Sequence, residues 1–180
     1  MCAARELRHG LRSVQMGSFG LIWNGQELRL SAVQRANVPT AELPALHRLG
    51  VNALVLPLTA EAQWREAEQL GFVVIGIVAE PNAVAPLLAQ SPACLGWLLP
   101  YGWWTERERW QGWIATAQKW RHFIGVELAL SVDLTKWALP PEVTFVIGPY
   151  DLPPIGRPRL LRPRPDALPV DEPELGWLSP

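Results

Sequence analysis

The chain has 180 residues, enough for one sizeable hydrophobic core and short for two. Hydrophobic residues make up 49% and charged ones 18%, which excludes a disordered chain. No apolar run reaches the roughly 20 residues a bilayer span needs, and a net charge of -1 offers no long-range attraction to nucleic acid or an acidic membrane.

The opening stretch, from Met1 to Gly10, is interrupted by charges where a secretory leader carries a continuous apolar segment, so a cytoplasmic location is expected. Residues 1–16 are read as a flexible N-terminal segment and 17–180 as a single domain. Between Ser18 and Val33 an Asn24-Gly25 pair separates two apolar or alternating runs, and a tight type I′ hairpin is expected there because both central residues must take positive φ.

The chain then alternates amphipathic stretches with short apolar runs rich in β-branched residues. The runs are Asn52 to Leu58, Phe72 to Val78, Ala93 to Pro100, Phe123 to Leu130 and Thr144 to Tyr150. Continuous apolar strands separated by helices are the pattern of a parallel sheet buried on both faces, so the fold class is α/β. Gly50 and Gly71 stand where helix C-terminal caps belong. Thr105 and Glu108 form a capping box ahead of a helix whose Trp110, Trp113, Ile114, Ala117 and Trp120 fall on one apolar stripe, which predicts packing against the sheet.

From Asp151 to Glu174 seven prolines forbid a helix of useful length. Two short runs around this segment, Pro158 to Pro163 and Glu174 to Pro180, complete eight strands. The expected architecture is a compact (β/α)8 barrel like that of triosephosphate isomerase, with the last helices reduced to Pro-rich loops; an open sheet is the alternative. The repeat of LGWLLP (Leu95 to Pro100) as LGWLSP (Leu175 to Pro180) is compatible with strands four and eight in equivalent places.

Four stretches, taken in order, resemble the barrel domain of the β-galactosidase and β-glucuronidase family of glycoside hydrolases. FGLIWNGQELRLSAVQRAN is similar to that family's first hairpin and strand, LPALHRLGVNALVL and WREAEQLGFVVIGIVAE to its next two units, and QSPACLGWLLPYG to its strand-four motif NHPSVIMWSLGNE. The resemblance implies a general acid at the Glu ending the last motif, preceded by a sugar-binding Asn. Aligning the two Trp puts Tyr101 at the Asn position and Gly102 at the Glu position. At the end of the candidate seventh strand, where the resemblance implies the second Glu, stands Arg162. The strand-one Asn and His correspond to Gln34 and Ala36, and only Arg35 of that motif is kept. A retaining glycosidase needs two carboxyl groups about 5 Å apart, one to protonate the leaving oxygen and one to attack the sugar. Gly and Arg do neither.

No catalytic residue is therefore expected at the family's positions. Glu80, Asp133 and Asp151, at the C-terminal ends of strands three, five and six, are the fallback carboxylates, with loop or helix capping as their simpler role. Glu127, inside strand five, needs a partner such as an Arg if it points inward. Tyr101, Trp103 and Trp104 follow strand four where a sugar would lie, as an aromatic platform or as packing; together with Arg35 they are the candidate ligand-binding residues. His9, His47 and His122 show no metal-ligand or nucleophile-base spacing, so no metal or cofactor is expected. Cys94 reads as a small buried hydrophobe. The function expected is a glycoside-hydrolase-like pseudoenzyme binding a carbohydrate or another protein. An active hydrolase with relocated carboxylates and a protein-binding scaffold are the alternatives.

Overall fold

A computed structural model of the protein describes residues 13–17, 20–34, 38–81, 86–128, 139–149, 159–161 and 175–178. The chain begins with a three-stranded antiparallel sheet, β1 (Val14–Gly17), β2 (Gly20–Trp23) and β3 (Gln26–Leu28). The expected boundary at residue 16 falls within β1. Between β2 and β3, Asn24 and Gly25 have φ of 50° and 80°, so the anticipated primed turn forms. Asn24 also accepts from the Ser13 amide through its side chain and donates its own amide to the Ser13 carbonyl, which fastens the turn to the start of β1.

The run expected as the hairpin's second arm divides after Leu28. Its second part, β4 (Ser31–Gln34), leaves the hairpin and becomes the first strand of a ring. The ring continues through β5 (Ala53–Pro57), β6 (Val73–Ile77), β7 (Cys94–Leu99), β8 (Phe123–Glu127), β9 (Phe145–Gly148) and β10 (Arg159–Leu161), all parallel to their neighbours. It closes through β11 (Leu175–Leu178), which runs antiparallel to both β10 and β4. The reversal of β11 departs from a (β/α)8 repeat and from the equivalence suggested by the repeated LGWL, since β7 and β11 point opposite ways. The architecture is a mixed α/β one built on a curled, mainly parallel sheet. The expected Pro-rich loops lie outside the described residues.

Outside the ring, α1 (Leu43–Arg48) follows a 3₁₀ turn at Thr40–Glu42, and α2 (Glu61–Leu70), α3 (Pro86–Ala89) and α4 (Gln111–Trp120) separate the next strands. Gly50 and Gly71 follow α1 and α2 with φ of 85° and 82°, as helix ends require. The capping box does not form. Trp103–Trp110 is a 3₁₀ stretch broken at Glu106, α4 starts only at Gln111, and the Thr105 hydroxyl donates back to the Gly102 carbonyl at 2.8 Å. A hydroxyl used as a donor here leaves Trp110, without a side-chain cap bond, as the cap of α4.

Alternation along each strand sorts side chains into two layers. Ala32, Ala53, Val55, Val73, Ile75, Leu95, Leu98, Phe145 and Ile147 fill the interior, joined at one end by Leu21 of β2. Leu54, Leu56, Val74 and Trp97 face the helices, where Trp64, Ala67, Trp113, Ile114 and Ala117 meet them. Trp110 is also buried, but Trp120, the last member of the stripe, remains 37% exposed. The alternation slips once. Val74 pairs with Cys94 but Ile75 with Gly96, so Leu95 is an extra residue in β7. Beyond this bulge Trp97 points to the helices and stacks on Trp64, with ring centroids 6.1 Å apart.

The bulge brings β7 and β8 close together: a Cβ at Gly96 meets the Phe123 carbonyl oxygen at 2.3 Å. Backbone cannot retreat as a flexible side chain does, so Gly96→Ala is expected to cost about 2 kcal/mol or more. Gly50→Ala, with nothing within 4 Å of its Cβ, bears only the positive-φ penalty of about 1 kcal/mol. Urea unfolding of the two variants checks the order.

The 3₁₀ stretch is tied to the segment before β9 by an ion pair between Arg107 and Glu142. The hydrogen bond from Arg107 holds the Glu142 carboxyl below the usual carboxylate range, outweighing a burial effect in the opposite direction. A depressed folded-state pKa stabilises above the unfolded value, and that contribution disappears as pH falls through the folded value. Arg107→Gln is therefore expected to lower the melting temperature at neutral pH. The gap from the unsubstituted protein is expected to close on acidification, as melting curves across the carboxylate range will read.

Candidate functional site

In parallel barrels the strand C-termini form the face on which ligands lie. Here that face carries a hollow of about 450 Å³ between the ends of β6, β7 and β8. Ile77, Val78 and Ala79 form one wall, Leu98, Leu99, Pro100 and Tyr101 the second, and Glu127 and Leu128 the third. The surface is mostly apolar, with Tyr101 its aromatic member and Glu127 its carboxylate.

Glu127 ends β8, half-buried, and its Oε2 accepts from the Gln34 side-chain amide at 3.3 Å. Gln34 ends β4, 93 residues earlier in the chain, so the ring closure creates this contact. The expectation that Glu127 faces inward and is partnered is met by an amide; the expected arginine is not among its described partners. An ionised carboxylate is an acceptor at both oxygens, so the Gln34 amide, a donor, suits it.

The three aromatic residues after β7 separate by role. Tyr101 is 38% exposed and lines the hollow. Trp104 is half-buried and lies edge-on to Tyr101, centroids 5.1 Å apart and planes at 80°, so it props the Tyr101 ring. Trp103 is only 2% exposed, packs within the outer core and lies 6.0 Å from the Trp104 ring. Its indole N–H has no acceptor among the described residues. Packing, the simpler of the two expected roles, is therefore the role of Trp103.

Gly102 has φ of 82°, a conformation that residues with a Cβ rarely adopt, and the turn it makes launches the 3₁₀ stretch. Glu80, the fallback carboxylate after β6, is exposed and is not part of the hollow's lining. Its contribution is through its carbonyl, which accepts from the Trp113 indole at 3.3 Å and ties the end of β6 to α4. Arg35, Asp133 and Asp151 lie outside the described residues, as do Ala36 and Arg162.

On the opposite side of β7, His122 is buried and its Nδ1 accepts from Trp97 Nε1 at 3.0 Å, with the buried Cys94 thiol 3.9 Å away. This trio is structural: it fixes the Trp97 ring from behind while Trp64 and Trp113 hold its faces. Asn52 does comparable work at the start of β5, accepting from the Ser31 amide and donating to the Arg29 carbonyl. Among the described residues no three His, Cys, Asp or Glu side chains cluster as metal ligands, and no helix is long and apolar enough to cross a membrane.

No protein-family model matches the chain, and no curated protein matches it in sequence. Solved structures do match. A β-glucuronidase from Ruminococcus gnavus in complex with D-glucaro 1,5-lactone superposes with a TM-score of 0.55 at 12% identity, covering 78% of this chain and 31% of that one. A β-D-glucuronidase from Dictyoglomus thermophilum gives 0.55 at 11% identity, covering 78% and 32%. The likeness is one of fold, to a domain of these glycoside hydrolases, and the chain spans about a third of their length.

Proposed function

We propose that this chain is a carbohydrate-binding domain derived from a (β/α)8 glycoside hydrolase barrel, and that it binds sugars without cleaving them. The observation that carries the reading is the composition of the hollow at the strand ends. It offers an aromatic ring, apolar walls and a single described carboxylate, Glu127. Sugar rings have apolar C–H faces that pack on a Tyr ring, while their hydroxyls donate to a carboxylate. That combination suits holding a sugar.

Cleavage needs two carboxyl groups across the scissile bond. Glu80 is exposed and does not line the hollow, and the position corresponding to the family's acid is Gly102, in a left-handed turn. The fold similarity to two glucuronidases supports a sugar as the ligand class, and one of these binds D-glucaro 1,5-lactone. The matched part is about a third of each enzyme, so the likeness is to one domain of it.

Calorimetric titration with D-glucaro 1,5-lactone and with methyl β-D-glucoside is expected to show binding of at least one. Tyr101→Ala is expected to weaken it about tenfold, the value of one aromatic contact. 4-Nitrophenyl β-D-glucuronide, glucoside and galactoside are expected to remain intact. Hydrolysis that disappears in Glu127→Gln, Asp133→Asn or Asp151→Asn overturns the reading in favour of an active hydrolase with relocated carboxylates.

A further inference from the structure

The floor of the hollow at the strand ends is one rung of the barrel interior. Ile77 of β6 pairs in register with Leu98 of β7, and Leu98 pairs in turn with Gly125 of β8. Ile77 and Leu98 line the hollow and belong to the interior layer. Gly125 contributes no side chain, and the buried Phe145 ring takes the space this leaves: a Cβ on Gly125 meets the ring at 2.2 Å. The interior beneath the mouth is thereby closed with hydrocarbon.

Alternation puts Glu127 on the same face of β8 as Gly125, two residues further on, so its carboxylate stands one step above this floor. Val78, Leu99 and Leu128 complete the walls, but all three are buried in the outer core. Ala79, Pro100 and Tyr101 form the exposed rim. Every described residue of the interior cluster is apolar. A ligand in the hollow therefore meets polar side-chain atoms at the side, on Glu127, and at the rim, on Tyr101, and none among the described residues below.

That division selects among sugars. A hydroxyl turned onto Ile77 and Leu98 gives up its water and gains no partner, which costs about tenfold or more in affinity. A methyl or a phenyl group turned the same way leaves water for an apolar surface, which is favourable. Sugar hydroxyls on Glu127 and an apolar substituent on the floor use both parts of the site at once.

We infer, building on the reading that the mouth binds sugars, that its preferred ligand is a sugar carrying an apolar substituent packed on Ile77 and Leu98. Two sources supply that chemistry: the C5 methyl group of a 6-deoxy sugar and an aromatic aglycone.

Calorimetric titrations test it by comparing methyl β-D-glucoside with methyl 6-deoxy-β-D-glucoside, which lacks one oxygen, and with phenyl β-D-glucoside, which differs in its aglycone. At least one of the latter two is expected to bind about tenfold tighter than methyl β-D-glucoside, and the arm that shows the gain identifies the source. Ile77→Thr, which puts a hydroxyl on the floor, is expected to erase the gain, with the melting curve reporting that the fold is retained; the comparison on the unsubstituted protein decides the matter if it is not. Tyr101→Ala is expected to weaken all three glycosides alike. Equal affinities for the three, or a gain undiminished by Ile77→Thr, overturn the inference and leave the sugar-binding reading standing. Failure of all three to bind overturns both.

Discussion

The outward placement of Trp97 is the constraint on which the rest of the structure depends. Its ring is fully buried between β7 and the helices, packed on Trp64 and Trp113 and hydrogen-bonded to His122. Replacing a buried residue of this size with Ala costs about 3–5 kcal/mol, a large part of the roughly 5–15 kcal/mol that holds a domain together. Trp97 reaches this position only because the extra Leu95 turns the strand, and the turned strand fits against β8 only because Gly96 has no side chain. From Trp97 the chain has four residues to Tyr101, so the anchor within β7 sets where the ring at its mouth stands.

The same anchoring explains the division of labour among the aromatic residues. Trp64, Trp97, Trp103, Trp110 and Trp113 are core, and their size lets a short chain cover a parallel sheet with few helical turns. Among the described residues Tyr101 and Trp120 are the large aromatic side chains more than a third exposed, and Tyr101 lines the hollow at the strand ends.

Much of this was legible in the sequence, and the reasons are local. The runs from Asn52, Phe72, Ala93, Phe123 and Thr144 became strands because residues buried on both faces leave an uninterrupted apolar signature. Asn24-Gly25 and Gly71 announced positive φ, and it is there. What stayed hidden depends on partners distant in sequence. The Leu95 bulge is set by how β6 and β8 flank β7, and alternation counting runs straight through it. The direction of β11 depends on which edge of the ring it closes, which LGWL does not encode. Thr105 has the residue type of a cap, but the chain after it is a 3₁₀ stretch and its hydroxyl donates to the Gly102 carbonyl. The Gln34–Glu127 contact joins β4 to β8, and only the curl of the sheet brings the two together. Of the candidate site residues, Tyr101 stands at the hollow, Trp103 is packed in the outer core and Glu80 ties β6 to α4 through its carbonyl; Trp120, read as core from its spacing, is 37% exposed.

The central claim is that the mouth of this barrel grips a sugar with an aromatic ring and one acid, a set that binds and does not cut. A crystal structure of the protein soaked with D-glucaro 1,5-lactone tests it most directly. The account predicts the lactone against Tyr101, its hydroxyls on Glu127, and no second carboxyl group facing its C1. A lactone whose C1 sits between Glu127 and another carboxylate about 5 Å away, the separation of a retaining pair, contradicts it.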